Sequence, residues 1–132
     1  MLKKVKILEK YLKNPPTRWC DECKNEFRLI TKAALIDIKK LLKPVEVSMY
    51  FEKSGSASSG CYTAFFMFSD TCGIYISINA DMVMGKFGRT LCRTVTHIKD
   101  YSGGTNNFIN IDRLSDENMW LNCKQKGEKL CE

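Results

Sequence analysis

One histidine and three prolines stand among 132 residues, and long apolar runs are missing altogether. Each scarcity excludes something. With a single imidazole, His97, the chain has little material for acid–base chemistry near neutral pH. His97 with Asp100 and Tyr101 is the one candidate acid–base group. Its surroundings, Thr94-Val95-Thr96-His97-Ile98, read as a strand with Val95 and His97 on one face. Nothing there supplies a nucleophile or a second base, so a structural histidine is the simpler reading and no catalytic residue is expected. The deaminase pattern is absent too: no Glu lies two residues after His97, and no Pro precedes Cys20. Neither a phosphate-binding glycine loop nor a serine nucleophile elbow occurs. No run approaches the length of a membrane span. Met1 to Lys13 interleaves lysine with Leu, Val and Ile, which is not a secretory signal.

What is present is an ordinary globular composition, 44% apolar and 27% charged, in a length that suits one domain. Seven cysteines are an odd number. Without a signal sequence, that count argues against a disulfide framework and for a reducing, cytoplasmic compartment with free or metal-bound thiols. Cys61, Cys72 and Cys92 read as small apolar core residues.

The net charge of +6 is uneven. Residues 1–44 hold 12 Lys/Arg against 5 Asp/Glu, while the remainder is close to neutral. Such asymmetry points to an acidic partner, either nucleic acid or a nucleic-acid-binding protein. The alternative is a solvated helix face that only keeps the protein soluble.

Residues 2–13 form an amphipathic pattern. Val5, Leu8 and Leu12 share one face; Lys3, Lys6, Lys10 and Lys13 share another. Asn14-Pro15-Pro16 ends that helix. A second helix is expected from about Thr31, as its cap, to Leu42. Phe27 to Ile30 fits either that helix or a short strand. Strands are expected at Val45–Glu52, Cys61–Phe68, Gly73–Asn79, Leu91–Asp100 and Asn106–Ile111, with turns at Ser69–Gly73 and Ser102–Thr105. Ala80 to Gly88 is ambiguous and admits a short helical excursion. Residues 113–132 read as a tail. Helices followed by hairpin-linked strands imply an α+β fold with an antiparallel sheet, one face of which packs on the second helix.

The densest chemistry lies at Trp19-Cys20-Asp21-Glu22-Cys23. Two thiols at this spacing can grip one metal ion. Cys20, Cys23 and Phe27 resemble the first half of a two-cysteine, two-histidine zinc finger. The resemblance spans about eight residues and then fails, because Ile36 and Lys40 stand where that pattern places its histidines. A zinc site here needs distant ligands, for which Cys123 and Cys131 are candidates and His97 a weaker one. Unligated thiols are the alternative. Trp-Cys-x-x-Cys is also similar to the thioredoxin active site, but no strand precedes it, and Asp21 and Glu22 disfavour a nearby thiolate.

For an acidic partner, the candidate contacts are Lys3, Lys6, Lys10 and Lys13, with Arg18 and Trp19 as a bidentate donor and a stacking surface. Tyr62, Phe65, Phe66, Phe68 and Tyr75 are expected to be mostly core. Finally, Ser54 to Tyr62 and Ile74-Tyr75-Ile76-Ser77-Ile78-Asn79 resemble a β-module of small phage and mobile-element proteins, some of which are anti-CRISPR proteins. Ser77 and the backbone pattern match; Tyr75 and Ile78-Asn79 depart from it. The resemblance implies a defence inhibitor that occupies a nucleic-acid or nuclease surface inside the host cell, without turnover, membrane or small-molecule substrate.

Overall fold

A computed structural model of the protein describes residues 1–14, 21–53, 60–85, 88–100 and 106–129. Within the strands, the side chains of 52, 53, 60, 80–85, 88–97, 99, 100, 106 and 107 lie outside that description. The element order is α1 (Lys3–Lys13), α2 (Asp21–Leu42), β1 (Glu46–Lys53), β2 (Gly60–Met67), β3 (Gly73–Gly85), β4 (Gly88–Asp100) and β5 (Asn106–Phe108). A short 3-10 turn (Ile111–Arg113) and α3 (Glu117–Lys129) follow. The five strands form an antiparallel meander in chain order, so the fold is α+β, as the pattern of helices followed by hairpins implies.

α1 folds as its periodicity dictates. Leu2, Val5, Leu8 and Leu12 are buried, and the lysines face away. Leu2 offers no capping side chain. The Asp37 carboxylate of α2 does that work instead, accepting from the Lys4 backbone N–H at 2.8 Å.

α2 starts ten residues before the expected cap. Asp21 and Glu22 fall in its first turn, where carboxylates suit the positive end of the helix dipole. Thr31 is therefore mid-helix and fully buried, not a cap. Phe27 and Ile30 belong to this helix as well, with Phe27, Ala34, Leu35, Ile38 and Leu42 forming its buried stripe. The helix ends at Lys43, whose φ of 52° is the left-handed turn that often closes a helix. The Lys43 N–H donates to the Lys39 carbonyl at 2.9 Å.

Register places Phe51 opposite Tyr62, Met49 opposite Ala64, Phe66 opposite Ile74, and Ile76 opposite Ile98. These residues make one face of the sheet, and it joins the helices in a single hydrophobic cluster. The tight β2–β3 turn is held by Phe68 N–H to the Cys72 carbonyl at 2.8 Å, with Ser69 Oγ accepting from Cys72 N–H at 3.1 Å. Gly73 is required there, since a Cβ would lie 2.4 Å from the Phe66 carbonyl oxygen.

Two expectations are corrected at the far end of the sheet. Residues 80–85 continue β3 rather than turning helical, and pair with β4 through an irregularity at Val83/Met84. Residues 117–129, read as a tail, form α3. Trp120 anchors α3: it is fully buried, and its indole N–H donates to the Leu114 carbonyl at 2.7 Å. Lys124 then reaches the C-terminal end of α2, donating to the Leu42 carbonyl at 2.6 Å while lying 5.2 Å from the centre of the Phe68 ring.

Candidate functional site

The lysine face of α1 is exposed as a unit. Lys3, Lys6 and Lys10 recur at helical spacing around Ile7, which is itself 49% exposed. Among the described residues none of these three lysines forms an ion pair. Lys6 lines a shallow cleft with Asp116 and Glu117, which offset part of its charge. No acidic residue occupies the first turn of α1. Lys3 and Lys4 therefore sit at the positive end of the helix dipole, a placement that works against helix stability.

Lys13 differs from the other three. Its ammonium lies 2.7 Å from Asp112 and 3.6 Å from Glu9. The hydrogen bond to Asp112 is the main cause of its raised pKa, with Glu9 adding and partial desolvation opposing. These contacts join α1 to the 3-10 turn. Ser115 Oγ strengthens the same junction by donating to Glu9 at 2.8 Å. On α2, Lys32, Lys39 and Lys40 add exposed cations to the helical layer.

Arg18, Trp19, Cys20 and Cys131 lie outside the described residues, so half of the expected thiol set has no geometry here. Cys23 and Cys123 are half-buried against the core. Burial pushes the Cys123 thiol up, with Lys126 and Arg113 opposing, so its neutral form is favoured over the thiolate that zinc requires. No group of three metal-ligating side chains occurs among the described residues. Cys72 corrects the expectation of unpaired thiols: it is disulfide-bonded. His97 pairs with Ser77 and Phe108 in backbone register, as the strand reading had it; its side chain is outside the description.

On the second face of the sheet lie two aromatics that are not core: Tyr62, Phe66 and Phe68 pack with the core, as mostly expected, and Phe65 and Tyr75 do not. Phe65 and Tyr75 point the other way and join Tyr50 in a row across three strands. Tyr50 and Phe65 stack with centroids 6.2 Å apart; Phe65 and Tyr75 meet edge-on at 4.9 Å. None of the three enters the core cluster. Beside them Cys61 Sγ lies 3.1 Å from Ser77 Oγ, which also accepts from Asn79 at 3.3 Å. Strand alternation alone cannot say which face meets the helices, and that ambiguity hid this row.

The helical layer has its lysines on the side away from the sheet, and the aromatic row lies on the sheet face away from the helices. The lysines and this aromatic row therefore do not form one site. No family model, curated protein or solved structure matches this chain. Among the described residues, no helix is long and apolar enough to cross a membrane.

Proposed function

We propose that this protein acts by occupancy, with no turnover of its own, and that the lysine face of α1 is its contact with an acidic partner. The observation that carries the reading is Lys3, Lys6 and Lys10: exposed, without ion pairs among the described residues, and placed partly against the helix dipole. A nucleic-acid backbone suits such a face best, because phosphates attract a row of cations without demanding directional bonds. A nuclease or another nucleic-acid-binding protein would need an acidic patch to serve equally well. Inhibition of a host defence nuclease, in the host cytoplasm, is the narrower form of the proposal. It rests on the likeness of residues 54–79 to phage modules. Within that segment, Ser77 is buried and bonded inside the sheet, so its part is structural.

The experiment is salt-dependent binding to mixed oligonucleotides, comparing the protein with a Lys3→Glu, Lys6→Glu, Lys10→Glu variant. The variant should bind at least tenfold more weakly at low salt. Its slope of log affinity against log salt should fall by about 2–3, near 0.9 per lost phosphate contact. Equal affinity and slope in the two proteins would reduce this face to a solubilising one.

A further inference from the structure

We propose that the cavity between α3 and the β3–β4–β5 side of the sheet binds a small amphipathic anion, an alkyl or aryl carboxylate. The inference goes beyond the occupancy reading and does not rest on it. It also departs from the expectation of no small-molecule ligand.

The cavity has a volume of about 570 Å³, within the range of sites that take small organic ligands. Its apolar lining includes Ile74, Ile98 and Met119. Gly127 brings α3 against β3 here: a Cβ at that position would stand 2.8 Å from Ile74 Cγ2. The cavity therefore borders a close approach of the helix backbone to β3.

Its charge is of one sign. Arg113, Lys126 and Lys129 line it, all exposed, and no carboxylate does so among the described residues. Arg113 has a partner in Asp116 at 3.4 Å. Lys126 and Lys129 have no ion pair among the described residues. Both cations suit the last turn of α3, so charge alone would mean little. Charge beside an apolar cavity is different, because it selects a ligand with an apolar body and an anionic head.

The lining offers few directional groups for a more polar ligand. The Asn110 side-chain oxygen already accepts from Asp112 N–H at 2.9 Å. A nucleotide or sugar would leave its own donors and acceptors unsatisfied against Ile and Met. An alkyl chain loses nothing there, and its carboxylate meets lysines at the rim. The half-buried Cys123 thiol lines the same cavity and gives it a built-in reporter.

The test uses the full chain, with dodecanoate and its neutral counterpart dodecanol, both below their aggregation limits. Calorimetry should show one dodecanoate per chain, bound at least tenfold more tightly than dodecanol. In a Lys126→Glu, Lys129→Glu variant that preference should vanish, and Cys123→Phe, which fills the cavity, should abolish binding of both. Peptide-resolved alkylation keeps the proposal testable if Cys123→Phe fails to fold. Dodecanoate should slow labelling of Cys123 at least fivefold and leave Cys61 unchanged. Equal affinity for acid and alcohol, absence of binding by either, or unaltered Cys123 labelling at saturation would each overturn the proposal.

Discussion

Thr31 carries a hydroxyl that finds no partner among the described residues, although the residue is wholly buried in α2. An unpaired buried hydroxyl is a net loss, because water would have satisfied it in the unfolded chain. Thr31→Val keeps the shape and removes that group. We expect it to stabilise the protein by about 1 kcal/mol, read as a higher urea midpoint at unchanged slope. A second expectation concerns the thiols. In unreduced, denatured protein, alkylation should label Cys23, Cys61 and Cys123 and spare Cys72 until a reductant is added. Label on Cys72 before reduction would contradict its disulfide. Thr31 also shows what single-residue signals miss. Its type suits a helix cap and its place before an apolar stripe suits one too, yet the true start lies at Asp21. Reading Cys20 and Cys23 as a thiol pair hid the helical periodicity that runs through Cys23, Phe27 and Ile30.

Among the elements, those with a clean period were legible. α1 declared itself through its apolar stripe and its lysines, and β1 to β3 through alternation of Val, Phe, Tyr and Ile. Asp81-Met82-Val83-Met84-Gly85 has no clear alternation, and its strand character comes from pairing with β4. α3 was illegible for a related reason. Asn122-Cys123-Lys124-Gln125-Lys126-Gly127 offers few apolar residues and a glycine poor at forming helices. What holds α3 is tertiary: Trp120 inside the core, Gly127 against Ile74, Lys124 on the end of α2. Trp120→Phe should therefore unfold more than its own contacts. It loses the bond to the Leu114 carbonyl and leaves a void, at a cost of about 2–4 kcal/mol. Chemical denaturation would measure that loss. Loss of the slowest-exchanging amides of residues 117–129 in hydrogen exchange would place it in α3.

On the scale of the whole molecule, the chain is a two-layer sandwich whose faces differ in character. Cations cover the helical side, aromatics the outer side of the sheet. The lysine face was readable from charge spacing alone. The aromatic row and the carboxylate cavity were not, since both depend on strand register and on the seat of α3. The junction of α1 with residues 112–115 has a consequence for synthesis. Glu9 and Lys13 meet Ser115 and Asp112, partners separated by about a hundred residues of chain. A growing polypeptide makes α1 about a hundred residues before its seat. Until residue 115 is free of the ribosome, the N-terminal helix can lean on α2 but cannot lock, and its lysines face the surrounding RNA. Nascent chains arrested at increasing lengths should thus stay cleavable within residues 1–14 after the sheet has become resistant. Protection there should arrive only when the segment through residue 115 has emerged. The timing of this docking step is set by distance along the chain, not by the strength of the contacts that complete it.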